Sequence, residues 1–137
     1  MTSRRAVLHL ILLLALIALG IEWTTRRLVV PRTVIGPSMQ PTLNDGDRIL
    51  VDLWTYRHRP PRPGEIVLLG GPSGEPTPLI KRVVAAPPEA SASAIWVLGD
   101  NREASLDSRD FGTVAPDDVL GRVIWRYWPP SRAGPIR

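Results

Sequence analysis

A serine, a single lysine and one polar loop are the parts of this chain that could do covalent chemistry together. The serine is Ser38, in "GPSMQPTLNDGD", Gly36 to Asp47. A hydroxyl is a weak nucleophile until a base takes its proton. Histidine is the usual base, but His9 lies inside an apolar run and His58 inside "YRHRPPRP". The basic residues offer another. Of 17 lysines and arginines, Lys81 in "PLIKRVVAAP" is the one lysine. Arginine stays protonated in proteins, whereas a buried lysine can lose its proton. In a strand Lys81 shares its face with Leu79 and Val83, both apolar, which predicts burial. Burial lowers the pKa of an amine and makes it a usable general base. Serine–lysine pairs are a known alternative to the histidine-centred triad. Taken singly, an ordinary turn serine and one leftover lysine are the competing readings.

The third stretch is "WVLGDNREASLDSRDFGTV", Trp96 to Val114. It reads as a strand entering a glycine turn and then a polar loop. Asp107 and Arg109 are spaced to form a pair that fixes the loop, and Ser105 can hydrogen-bond to a nearby amine. Without context this is equally a solvated turn.

These residues need a scaffold. Short apolar segments separated by Pro, Gly and Asp predict strands at Thr33–Ile35, Arg48–Trp54, Glu65–Leu69, Leu79–Val84, Ile95–Leu98 and Val119–Tyr127. Turn signals stand between them at "NDGD", "RPPRPG", "GGPSGEPTP", "APPEASAS" and "APDD". No window after the N-terminal segment holds a helical period, so this part reads as mainly β. Ser38 then sits where a strand gives way to an exposed loop, and Lys81 within a strand. With 137 residues the chain fits one small domain.

Before the strands, Ala6 to Ile21 carry no charge, with Arg4 and Arg5 ahead and Glu22, Trp23, Arg26 and Arg27 behind. Such a helix is a little short for the roughly 30 Å hydrocarbon core, and snorkelling arginines with an interfacial Trp23 would close the gap. A cleavable leader is the rival reading, but Ala15 and Ala18 do not fit an A-x-A site. An uncleaved anchor over residues 1–25, helical from about 6 to 23, is expected, followed by a second unit over 26–137. The flanking charges do not set its orientation.

Composition excludes several classes. There is no cysteine, so disulfides and thiolate sites are ruled out. Neither histidine has a companion at ligand spacing, and no metal is expected. Seventeen basic residues against 13 acidic ones are scattered, which fits a solvated or lipid-facing surface and argues against nucleic acid.

In this order and behind such an anchor, "GPSMQPTL", "LIKRVV" and "GDNREASLDSRDFGTV" resemble the sequence boxes of the type I signal peptidases. The similarity runs from the anchor to "GRVIWRYWPP". It implies a mainly β catalytic domain, of a fold related to the self-cleaving peptidases of SOS-type repressors, preceded by one transmembrane helix. It further implies a single-pass protein of the plasma membrane with this domain on the extracytoplasmic side. Ser38 then matches the nucleophile, Lys81 the general base, Ser105 the serine that orients the lysine, and Asp107 and Arg109 the supporting ion pair. Val34, Gly36, Met39, Leu43 and Ile80 match the pocket beside the scissile bond. Gly36 stands where some members have a serine that supplies a second oxyanion donor. The resemblance implies signal peptides of exported preproteins as substrates, membrane lipid and the secretion translocon as partners, and no cofactor. Two departures stand out: "AAPPEASASAIW" replaces the inserted β subdomain of larger members, and one anchor is expected where they have two. The repressors themselves carry a DNA-binding domain that has no counterpart here. A tethered, catalytically inactive module of the same fold is the alternative.

Overall fold

The structure, a computed structural model, describes residues 2–71, 77–91 and 93–137. An N-terminal helix, α1 (Thr2–Leu28), leads directly into strand β1 (Val29–Thr33). The strands that follow are β2 (Arg48–Asp52), β3 (Ile66–Leu69), β4 (Leu79–Val84), β5 (Trp96–Leu98), β6 (Val119–Trp128) and β7 (Gly134–Pro135). A four-residue helix, α2 (Ser108–Phe111), follows β5. The expected turns over 70–78 and 86–93 lie partly outside the described residues.

Along α1 the apolar side chains of the uncharged run face outward, among them Leu8 (62% exposed) and Leu16 (67%). Among the described residues no helix is long and apolar enough to cross a membrane. The side chains of Arg4, Arg5, Trp23, Arg26 and Arg27, which flank the run, lie outside the described residues.

All pairings in the sheet are antiparallel, in the order β1-β2-β6-β3-β4-β5, with β7 on the outer part of β6. Alternation of side chains splits the core in two. One cluster gathers Val34, Met39, Leu43, Ile49, Leu68 and Val123, and the other Val67, Leu69, Val83, Val97, Val114 and Val119. The mainly β reading therefore holds, and β4 has the bounds expected for it. The first strand does not: it covers 29–33 rather than 33–35, because Pro31 sits on an edge strand, where its missing N–H breaks no ladder. The predicted end of β2 at Trp54 is cut back to Asp52, whose carboxylate accepts the Trp54 N–H at 2.7 Å and the Thr55 N–H at 3.2 Å.

Candidate active site

Ser38 lies in the connection between β1 and β2, half-buried. Gly36, two residues earlier, takes φ 84°, a region that other residues rarely adopt, and donates its N–H to Asp45 Oδ1 at 2.7 Å. The loop is fastened at its far end by Asp47, 2% exposed. Asp47 accepts the Asn44 N–H at 2.9 Å and Arg126 Nη1 at 3.3 Å, and it pairs with Arg132 as well. Arg126 also donates to the Thr42 carbonyl at 2.8 Å. Met39 and Leu43 point into the first core cluster and are 1% and 0% exposed. The apolar residues on either side of Ser38 are thus sunk, and the serine is left at the surface of a fixed loop. Among the described residues the Ser38 N–H has no acceptor.

Lys81 stands in β4 opposite Val67 of β3 and is 2% exposed. Its face includes Leu79 and Val83, as the alternation predicts. Lys81 forms no ion pair and no side-chain hydrogen bond among the described residues. Burial pushes its amine below the ordinary lysine value, and the negative charge of Asp107 opposes this without reversing it.

The loop after β5 joins these two elements. The Asn101 N–H donates to the Ser38 carbonyl at 3.0 Å. A Cβ on Gly99 would lie 2.1 Å from Ser105 Oγ and 2.6 Å from the Ser38 carbonyl, so Ser105, Gly99 and Ser38 are in close contact. Asp107, fully buried, accepts the Gly99 N–H at 3.0 Å and two bonds from Arg109, at 2.9 and 3.0 Å. It also caps α2 by accepting the Arg109 N–H at 3.2 Å. Burial raises the Asp107 carboxyl, but Arg109 and the Gly99 N–H outweigh it and hold the group well below the usual carboxylate range. Ser105 lies near enough to Asp107 to help lower it, yet its buried Oγ has no partner of hydrogen-bond geometry. A buried hydroxyl left unpaired calls for a partner.

Sequence reasoning missed a second ion pair. Arg82, next to Lys81, grips Asp100 through two bonds of 2.8 Å, and its Nη1 reaches the Gly64 carbonyl at 2.7 Å. Arg82 and Asp100 were visible only as charges beside named residues. Ser108 was likewise passed over: its buried Oγ accepts the Val97 N–H at 2.9 Å and ties α2 to β5.

A groove of about 210 Å³ is lined by Arg32, Thr33, Ile35, Leu68, Leu79 and Ile80, several of them just before Ser38 or Lys81 in the chain. Three strands separate β1 from β4 in the sheet, yet both border this groove, so the sheet curls. β5 pairs with residues 82–84 of β4 and leaves Leu79–Lys81 unpaired on that side. An extended peptide can therefore add to the free edge of β4. Of the residues matched to the substrate pocket, Val34, Met39 and Leu43 are in the core, whereas Gly36 and Ile80 are half-buried. Ile35, which no sequence argument singled out, is 77% exposed.

A family model described as signal peptidase, peptidase S26, matches residues 4–92 and 90–128. Over 133 residues the chain is 35% identical to the mitochondrial ATP-independent inner membrane protease subunit 1a of Arabidopsis thaliana, covering 83% of this chain and 79% of that protein. It is 28% identical over 145 residues to signal peptidase I of Leptolyngbya laminosa, covering 77% and 71% respectively. It is 27% identical over 148 residues to the chloroplastic thylakoidal processing peptidase 1 of Arabidopsis thaliana, covering 77% of this chain and 44% of that protein.

Proposed function

The chain belongs to the type I signal peptidase family, peptidase S26, a family of serine-type peptidases, and from that membership we propose a membrane-bound signal peptidase with Ser38 and Lys81 as its dyad. The observation that carries the reading is the burial of Lys81, the one lysine, with no ion pair among the described residues and with a lowered pKa. An amine so placed is held ready to be neutral.

Neutral Lys81 Nζ takes the proton from Ser38 Oγ as the oxygen attacks the carbonyl of the last signal-peptide residue. The Ser38 N–H, which has no acceptor among the described residues, donates to the developing oxyanion. The carbon–nitrogen bond breaks, and the Lys81 ammonium gives its proton to the leaving amine. Lys81 then takes a proton from water as the water oxygen attacks the ester carbonyl, the bond to Ser38 Oγ breaks, and the Lys81 ammonium returns the proton to Oγ. Ser105 Oγ, unpaired in the free protein, accepts a hydrogen bond from the Lys81 amine and aims it. Asp107 and Arg109 hold the loop that carries Ser105. Small side chains, alanine above all, are required at the last residue of the signal peptide, and small or aliphatic ones two positions earlier, because packed Val34, Met39 and Leu43 leave little space.

Helix α1 would anchor the protein in the plasma membrane. Its uncharged run, Ala6–Ile21, is about 24 Å long at 1.5 Å per residue, and snorkelling of the flanking arginines makes up the difference. Lipid and the secretion translocon are then its neighbours, with the β domain on the extracytoplasmic side. The deciding experiment is a single-turnover assay on a detergent-solubilised preprotein with an A-x-A site. Cleavage that is lost in Ser38→Ala supports the dyad. An intact protein that never cuts points to an inactive binding module of the same fold.

A further inference from the structure

Beyond the residues nearest the cut, the groove does not end. It shares Arg32 and Leu68 with a second cavity of about 520 Å³, whose wall includes Tyr56, Arg57, Asp117 and Leu120. β1, which leads to the Ser38 loop, and β4, which carries Lys81, run in the same direction in the sheet, and both contribute residues to the groove. A strand seated between them reaches this cavity at its far end.

Among the described residues, the two arginines at that end form no ion pair. Arg32 donates only to the neighbouring Pro31 carbonyl at 3.0 Å, and Arg57 lies over the Trp54 ring at 5.9 Å. Other arginines nearby are matched: Arg59 and Arg122 both pair with Glu65, at 2.6 and 3.2 Å. Asp117 shares the wall but bonds to neither arginine, so among the described lining residues two arginines stand against one aspartate. Arginine forks fit carboxylates better than any other side-chain anion receptor.

We infer that Arg32 and Arg57 form a specificity subsite for an acidic side chain upstream of the cleavage point. The inference rests on the peptidase reading above. Arg32 stands six residues before Ser38. β1 ends at Thr33 and the chain turns at Gly36 before Ser38, so the acidic residue falls within about six positions of the cut. Such a contact to exposed arginines is salt-sensitive.

The test uses the full chain in detergent with a set of preprotein-derived peptides. All share one A-x-A site and carry Glu, Gln or Lys five or six residues upstream. The expected result is a kcat/KM for the Glu peptide at least fivefold above the Gln peptide and further above the Lys peptide, with the difference shrinking at 0.5 M salt. Arg57→Gln, which lies outside the groove, should erase the difference while cutting the Gln peptide at the parent rate, and Arg32→Gln should bring the Glu-to-Gln ratio of kcat/KM to about one whatever its overall rate. Equal cleavage of all three peptides overturns the subsite and leaves the peptidase reading intact. Cleavage of none overturns the peptidase reading and the subsite with it. A preference that survives in both variants overturns the assignment to these arginines.

Discussion

Replacing Gly99 by alanine tests whether the loop after β5 aligns the two halves of the site. The added Cβ would lie 2.1 Å from Ser105 Oγ, 2.4 Å from Ser105 Cβ and 2.6 Å from the Ser38 carbonyl oxygen. Ser105 can turn away only in part, because its Cβ is itself in the clash. The Ser38 carbonyl is backbone and must retreat by roughly 0.8 Å to regain a contact of 3.4 Å. That retreat stretches the 3.0 Å bond from the Asn101 N–H. Overpacking of this kind costs about 1–3 kcal/mol. A domain of this size should lose roughly 4 °C in Tm for each kcal/mol. Displacing a nucleophile by about 1 Å costs on the order of a hundredfold in rate. Gly99→Ala should therefore unfold several degrees earlier and cut an A-x-A preprotein on the order of 100-fold more slowly, mostly through kcat. Gly134→Ala is the matched control, since nothing lies within 4 Å of its added Cβ. Tm by thermal melting and kcat by cleavage assay, measured on both variants, decide the matter. Parent-like kcat in a folded Gly99→Ala protein would refute the alignment argument.

Lys81→Arg should be as inactive as Ser38→Ala in a cleavage assay, with both proteins folded by circular dichroism, because guanidinium keeps its proton; turnover by the arginine variant would remove lysine from the mechanism. Activity should rise with pH through a limb well below the roughly 10.4 of free lysine, since burial lowers the Lys81 pKa and only the neutral amine works; a limb at the free value would mean a solvated amine. Asp107→Ala should destabilise the protein by about 1–3 kcal/mol in urea denaturation, because it leaves the buried Gly99 N–H unpaired. Glu65, held at about 2, and Asp107, Asp100 and Asp52, all held below their ordinary values, contribute stability that is present above pH 4 and lost as pH falls through their folded values. Acid titration of the fold followed by tryptophan fluorescence should show this loss below pH 4, and a flat profile down to pH 2 would contradict it.

What could be read from the sequence was local. The Ile and Val runs of β3, β4 and β6 announce themselves by period and by the turns around them. Lys81 declares its burial through its neighbours two residues away on either side. The misses concern partners far along the chain. Arg82 meets Asp100 across 18 residues, and Asp47 meets Arg126 and Arg132 across 79 and 85. Charge alone does not say which distant aspartate an arginine will find. Pro31 hid β1, because whether proline suits a strand depends on a neighbour that sequence does not show. β7, two residues long, has no period of its own and exists only against β6.

The position of β6 bears on how the enzyme is made. β2, which follows the Ser38 loop, and β3, which pairs with the Lys81 strand, do not pair with each other, and each is hydrogen-bonded to β6. β6 comprises residues 119–128 and so leaves the ribosome after both. Chains emerge from the N-terminus onward. Ser38 and Lys81 are therefore synthesised first and carried on separate, unjoined pieces of sheet until the late strand slides between them. During that interval the growing polypeptide holds both residues of the proposed dyad without the framework that aligns them. The order of synthesis thereby withholds alignment until β6 has emerged.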